Sequence, residues 1–354
     1  MGHPQEVIVA APAPPRVRQA WYVLCFSEEL GARPLRRTLY GDPIVLFRTA
    51  SGRAAALEDR CPHRNVPLSL GCVQGETLQC GYHGWTFDPQ GRVQDVPGYL
   101  GEADRPGRRA PWHAVREQQG LVWVWATPEE QPDVDPYRFS HADRPGYLTV
   151  RHQVRARASV HAVAENALDV PHTAYLHGGL FRNPEDRNEI QAVVRREHDR
   201  VECEYIGEPR PTGLVAKLIS PSGGVVTHFD RFILPSIVEV EYRLGEENHL
   251  LNGAACTPAD DYDTILYAVV SLRTRLPARL VRPVIQPLAL RIFAQDARVL
   301  ERQTETLDHF GEERYASTDI DLLGPQILKL LQRAEKGDID PTAKPWSREV
   351  TLTV

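Results

Sequence analysis

Two short stretches decide how this chain is read: Cys61-Pro62-His63-Arg64 and Cys80-Gly81-Tyr82-His83-Gly84-Trp85, with sixteen residues between His63 and Cys80. Each offers one cysteine and one histidine, spaced C-x-H in the first loop and C-x-x-H in the second. A structural zinc finger usually groups its ligands as two cysteines and then two histidines. Mixed pairs suit a binuclear iron–sulfur cluster instead, with both thiolates on one iron and both imidazoles on the other. Neutral imidazoles in place of anionic thiolates raise the potential of such a cluster above that of an all-cysteine one. Pro62, Gly81 and Gly84 allow tight loops around it. A mixed Cys/His zinc site is the alternative at this point.

Around these loops, residues 20–127 read as short β-rich runs: Trp21–Phe26, Ile44–Phe47, Ala54–Leu57 and Leu121–Trp125. Turn signals such as Gly41-Asp42, Ser51-Gly52 and Asp88-Pro89-Gln90-Gly91 lie between or beside them, which predicts a small β domain. Residues 1–15 are rich in Pro and Ala and read as a loose arm, and Thr127–Pro136 as a linker. The expected division is therefore an arm at 1–15, a β domain at 16–128 and a larger domain at 129–354. In the last, Ser159–Leu168 suits a helix. Residues 190–274 return to strand-like runs, including Phe232–Leu234, and helices are expected at 283–310 and 327–334. An antiparallel sheet with long helices against it makes an α+β domain.

Composition narrows the class. The 354 residues carry a formal charge of −6, which gives no reason to expect a nucleic-acid partner. No apolar run is long enough to span a membrane and no signal pattern opens the chain, so a cytoplasmic enzyme is expected. Six scattered cysteines without a signal peptide are free thiols or metal ligands rather than a disulfide framework. Cys72, between the two ligand pairs, fits neither spacing and reads as a packed thiol.

A second constellation follows at Glu165-Asn166-Ala167-Leu168-Asp169-Val170-Pro171-His172 and His177. Asp169 and His172, three apart, are expected on one helix face. Pro171 should kink or end that helix, which can swing His177 back toward His172. Further on, Ile285, Leu288, Ile292, Val299 and Leu300 form an apolar stripe at helical spacing, and Asp296 falls on it. A carboxylate on a core face must be paired or bound to metal, so Asp296 is either a salt-bridged or capping residue or a ligand. With His172 and His177 it makes the 2-His-1-carboxylate set of non-haem iron sites, which leaves open coordination positions.

Residues 61–85 resemble the Rieske cluster motif, and residues 165–177 with Asp296 resemble the mononuclear iron motif of the Rieske non-haem iron oxygenases. The two occur in the family's order across most of residues 20–310. The second cysteine that respiratory Rieske proteins carry in each loop is missing from His63-Arg64-Asn65-Val66 and Gly81-Tyr82, and the short Asn166-to-Asp169 spacing looks more like the monooxygenase and demethylase branch. The resemblance implies an N-terminal all-β Rieske domain followed by a helix-grip (START-like) α+β catalytic domain. It implies a [2Fe–2S] cluster on Cys61, His63, Cys80 and His83, and a mononuclear Fe(II) on His172, His177 and Asp296.

It further implies a head-to-tail homotrimer, in which Asp169 bridges the cluster ligand His83 of one subunit to the iron ligand His172 of the next. Asn166 would lie near the iron. No G-x-G-x-x-G fingerprint follows a strand, so electrons must come from a separate NAD(P)H-dependent reductase or ferredoxin. Arg60, Arg64, Arg92, Arg105, Arg108 and Arg109 are candidates for steering an acidic redox partner, or simply a solvated face. The expected activity is monooxygenation by O2 of an aromatic or polycyclic small molecule, by hydroxylation or by O- or N-demethylation. Arene cis-dihydroxylation is the alternative within the same chemistry. A non-catalytic Rieske electron carrier and a zinc-stabilised binding module are the alternatives outside it. Phe229, Phe232, Tyr242 and Phe293 are the candidate pocket aromatics.

Overall fold

The computed structural model describes residues 13–177, 188–209, 226–245, 248–274, 278–311 and 313–353. Residues 1–12 of the expected arm lie outside these. The N-terminal part is all β. Trp21–Phe26, Val115–Gln118 and Leu121–Trp125 form one antiparallel sheet, with Leu121–Trp125 at its centre. Both Trp-bearing strands are buried along their whole length, which is why they read as continuous apolar runs. Leu35–Leu39, Asp42–Arg48, Ala54–Glu58 and Trp112–His113 form a second sheet. Its first hairpin turns on Tyr40 and Gly41, both at positive φ (53° and 83°), as a two-residue type I′ turn requires. A third sheet, Cys72–Gln74, Thr77–Gln79, Thr86–Phe87 and Val93–Asp95, carries the second Cys/His loop.

The second part is built on eight antiparallel strands, labelled here β1 (Leu148–Ala156), β2 (Glu189–Arg196), β3 (Arg200–Ile206), β4 (Val226–Ile233), β5 (Ile237–Leu244), β6 (Asn248–Asp260), β7 (Asp263–Arg273) and β8 (Trp346–Thr353). Their order across the sheet is β1-β7-β6-β5-β4-β3-β2-β8. Period-two alternation divides its faces. Cys203, Tyr205, His228, Asp230 and Phe232 point into the core. The opposite face carries an ion-pair ladder in which Arg231 contacts Glu202 and Glu241, each at 2.6 Å.

Among the described residues, four helices complete this part: α1 (Val160–Leu168), α2 (His172–Leu176), α3 (Ala278–Phe310) and α4 (Gly324–Glu335). Ser159 caps α1, its Oγ accepting from the Ala162 amide at 3.2 Å. Helix α1 lies on β5 and β6 and beneath α4, while α3 runs along β1. The α+β expectation therefore holds. The two parts are joined by buried hydrogen bonds: Thr257 Oγ1 donates to the Val23 carbonyl and Tyr267 Oη to that of Leu24, each at 2.6 Å. Tyr22, Ile44 and Leu46 share one core with Ala156, Val163 and Leu266.

Candidate metal centres and active-site cavity

The two Cys/His loops are built alike. In the first, the Cys61 amide donates to the Val66 carbonyl and the Asn65 amide to that of Cys61. In the second, Cys80 donates to Trp85 and Gly84 to Cys80. Asn65 and Gly84 both take positive φ, 59° and 74°, which closes each loop tightly. Cys61 and Cys80 are buried, whereas His83 is exposed and His63 half-buried with its ring 4.6 Å from that of His83. The four thus fall into an inner thiol pair and an outer imidazole pair, as a binuclear cluster needs. Burial, and then the neighbouring Cys80, push the Cys61 thiol up to about 11, despite opposing amide hydrogen bonds. That neutral state must give way when a metal takes the sulfur. His63 Nδ1 is buried with no hydrogen-bond partner, an orphaned ligand atom of the expected kind.

The second constellation meets at one point. His172, His177 and Asp296 offer ligand atoms that all lie within 4.8 Å of one another. Helix α1 ends at Leu168, with Asp169 as its extended C-cap. The chain turns through Val170-Pro171 and restarts as α2, with His172 at its head and His177 just past its end. The expected break at Pro171 therefore occurs, but Asp169 and His172 do not share a helix face. Asp169 is already extended, since the break falls before the proline rather than after it. Its Oδ2 still accepts from the His172 amide at 3.0 Å and lies 3.3 Å from His172 Nδ1. Asp296 comes from α3 with Ile292 and Leu300 beside it. Val299, expected on the same stripe, is 44% exposed because it lies a further turn-fraction round the helix. The side chain of Ile285 lies outside the described residues.

Hydrogen bonds fix the tautomer of both histidines. His172 Nδ1 donates to the Asp169 carbonyl, and His177 Nδ1 donates to Gln295 Oε1 at 3.0 Å. Both Nε2 lone pairs are left facing Asp296 Oδ1, at 3.7 and 3.0 Å. That oxygen is buried and accepts no well-aligned hydrogen bond. Three acceptors converging on one point call for a cation, so the donor set fits a divalent metal. Burial opposes a charge on His172, yet Asp169 and Asp296 raise it to about 9.

The iron-binding candidates open on a cavity of about 210 Å³ between sheet and helices. Its wall is mostly apolar (Val163, Val240, Leu266, Ile292, Phe293 and Leu300), and Asn166 lines it too. Of the candidate aromatics, Tyr242 and Phe293 line this cavity. Phe232 is packed in the core, and Phe229 alternates to the opposite face under Arg231. Sequence reasoning missed Gln295, whose one signal is its place beside Asp296, and the buried trio Glu208, His228 and Asp230. The pattern His-x-Asp between Val226 and Phe232 was the available signal for the last two, because it sets both on the inner face. Cys72 is exposed on its hairpin rather than packed. Among the candidate docking arginines, Arg60 pairs with Glu58 at 2.7 Å and Arg109 with Asp104 at 2.9 Å.

Comparison with known proteins agrees with both halves. Residues 20–101 match the Rieske [2Fe-2S] domain, and residues 156–337 match the vanillate O-demethylase oxygenase C-terminal domain. The dicamba O-demethylase oxygenase component of Stenotrophomonas maltophilia is 31% identical, over 86% of this chain and 80% of its own length. A vanillate O-demethylase oxygenase subunit of Pseudomonas sp. (strain HR199 / DSM 7063) is 28% identical, over 89% of this chain and 94% of its own. Crystalline dicamba monooxygenase bound to dicamba shares the fold at a TM-score of 0.77 and 24% identity, over 92% of this chain and 99% of that one. Two iron centres of these kinds on this architecture define the class of Rieske non-haem iron oxygenases. Within it, the chain belongs to the monooxygenase family of vanillate O-demethylase oxygenase components. No helix among the described residues is long and apolar enough to cross a membrane.

Proposed function

We propose that this chain is a terminal oxygenase that inserts one atom of O2 into a C–H bond of an aromatic or polycyclic small molecule, by hydroxylation or by O- or N-demethylation. The net reaction is RH + O2 + 2 e⁻ + 2 H⁺ → ROH + H2O. When the carbon is an O- or N-methyl group, the hydroxylated product releases formaldehyde. The supporting observation is the convergence of the His172 and His177 Nε2 atoms on Asp296 Oδ1 beside an apolar cavity.

In this reading His172, His177 and Asp296 hold the mononuclear iron, which when bound supplies the centre at which O2 is reduced. Cys61, His63, Cys80 and His83 hold the [2Fe–2S] cluster, which stores an electron received from a separate reductase or ferredoxin. Asp169 holds His172 through its amide and ring, and with its other oxygen reaches the partner subunit's cluster histidine in a homotrimer. Asn166 borders the iron from α1. The apolar wall binds and orients a ring system and excludes water from the reacting carbon. The arm, Rieske and catalytic units divide at about residues 15 and 128, and the protein works in the cytoplasm, where NAD(P)H is available.

The test is turnover with a surrogate reductase, NADH and ¹⁸O2 over a panel containing vanillate, guaiacol, dicamba and caffeine. Formaldehyde, or a product with one labelled oxygen, supports the proposal. Two labelled oxygens in a cis-diol would make this a dihydroxylating enzyme, and no oxygenated product from any arene would end the reading.

A further inference from the structure

The inner face of the sheet carries three ionisable residues that the iron site does not use. Glu208, just after β3, and His228 and Asp230 on β4 are almost wholly buried. His228 Nδ1 is 2.6 Å from Glu208 Oε2, and its Nε2 is 3.0 Å from Asp230 Oδ1. Its ring lies between two phenols, stacked at 3.9 Å from Tyr242 and 4.6 Å from Tyr205. Cross-strand pairing sets this arrangement, since Tyr205, His228 and Tyr242 are direct partners on β3, β4 and β5. Glu208 and Tyr242 line the substrate cavity, while Tyr205 lines a second cavity, reached past the half-exposed Ile320.

Such a cluster is a poor device for stability alone. Replacing a buried ion pair by apolar side chains of similar volume is often neutral or stabilising. Its chemistry suits proton movement. Two hydrogen bonds along carboxyl–imidazole–carboxyl require two protons, and either can be held from either side, so the chain can pass a third without breaking. Stacked phenol faces favour the imidazolium through which it must pass. Burial opposes a charged His228, but Asp230 and Glu208 raise it to about 9, and burial in turn raises Asp230. The groups facing His228 are Tyr205 on β3, Tyr242 on β5, Glu208 and Asp230, with Cys203 beside Asp230.

We propose that Glu208, His228 and Asp230 form a proton relay that delivers into the substrate cavity the protons consumed as O2 is reduced, with Glu208 as its terminal donor. The proposal rests on the monooxygenase reading, whose net reaction takes up two protons inside a largely apolar cavity. The Glu208 carboxyl gives up its proton to the cavity and becomes a carboxylate. Asp230 then protonates Nε2 of the neutral imidazole that carries its proton on Nδ1, the imidazolium so formed passes its Nδ1 proton to Glu208, and Asp230 is recharged from water on the Tyr205 side. Each transfer moves one proton and no electrons, and the reductase supplies the electrons separately.

The test uses the balance of the reaction. Hydrogen peroxide already carries the two protons and two electrons, so RH + H2O2 → ROH + H2O needs no delivery. Glu208→Gln and Asp230→Asn holoenzymes are driven by NADH and O2, and separately by H2O2, on the panel compound that turns over. The expected result is a fall of about a hundredfold in kcat with O2 for both variants, and a much smaller loss of peroxide-driven product. Equal losses with both oxidants, or no loss with O2, would overturn the relay.

Infrared spectroscopy supplies a readout that needs no substrate. At pH 7 the wild-type holoenzyme should show the C=O stretch of a protonated carboxyl, moved by ¹³C labelling of Asp and Glu carboxyls and removed by either substitution. A wild type without that band overturns the relay even if the variants fail to fold. Should no panel compound give product with either oxidant, the monooxygenase reading fails, and the infrared result alone decides the relay.

Discussion

Nε2 of His177 and Oδ1 of Asp296, one at the end of α2 and the other in the middle of α3, face each other at 3.0 Å as two acceptors. Gln295 holds the proton of His177 on Nδ1, so the pair is compatible only with a shared proton or a shared cation. Asp296→Ala removes the single anionic member of the proposed ligand set. Iron should fall from about three to about two per chain, with labile sulfide and the visible cluster spectrum retained and product formation abolished. Iron content equal to wild type would remove Asp296 from the site.

Asp169 touches His172 at both amide and ring, so its carboxylate is placed to orient that ring, and the proposed reading gives it the further role of passing an electron. Asp169→Asn keeps the amide hydrogen bond, and both metals should stay bound. Product should fall at least about a hundredfold, toward the upper end of the range for outer carboxylate partners. Stopped-flow oxidation of the reduced cluster, with substrate and O2 present, should slow in step. Cluster oxidation at the wild-type rate would leave Asp169 a positioning role only.

The difference between what was legible and what was not follows from the range of the interactions. Both candidate sets were readable because short spacings such as C-x-H, and a carboxylate four residues from Ile292 and Leu300, fix geometry within a loop or a helix turn. Where the helix before His172 ends depends on the competition between α1 and the Val170-Pro171 turn, and sequence spacing alone placed Asp169 on the wrong side of that break. Strand parity decided Phe229, which faces Arg231, and Phe232, which faces the core; a list of aromatics carries no parity. Glu208 was invisible because only the alignment of β3 with β4 brings a residue beyond one strand's end onto His228.

Gly71 tests the cluster hairpin sterically. A Cβ there would meet the Gln79 carbonyl oxygen at 1.9 Å, and one at Gly81 would meet that of Leu70 at 2.8 Å. Backbone cannot yield as a side-chain tip can, so Gly71→Ala should destabilise by about 1–3 kcal/mol or more and reduce cluster loading. Gly31→Ala, with nothing within 4 Å of its Cβ, is the control and should melt like wild type. Equal melting temperatures and equal cluster absorption for the two variants would refute the packing argument.

Glu241 gives a pH dependence of stated sign. Burial opposes its charge, but His249, Arg231 and Arg243 together hold its carboxyl well below the usual range. A depressed folded value means stabilisation that is present above the ordinary Glu range and lost as pH falls toward the folded value. The stability gap between wild type and Glu241→Gln should therefore be widest near pH 7 and close progressively below about pH 4. Denaturant melts at several pH values check this, and a gap that is constant with pH would show that the ion pairs at Glu241 contribute nothing through charge.

Leu70 and Tyr82 stand 71% and 62% exposed beside the cluster loops, and Tyr175 stands 76% exposed on the helix that opens with His172. Large apolar side chains left outside at both redox sites are the surfaces that a head-to-tail trimer would bury against each other. Covering one such side chain stabilises by about 1.5–3 kcal/mol, and a glutamate in its place must instead be desolvated. In the proposed trimer, Leu70→Glu and Tyr175→Glu should each shift the assembly toward monomer in light scattering at micromolar concentration, and slow cluster-to-iron electron transfer, while each chain keeps its own metals. The proposed head-to-tail contact puts the two changes on opposite sides, so the double variant should dissociate little more than the worse single one. A monomeric wild type, or assembly as strong as wild type in both single variants, would refute this contact.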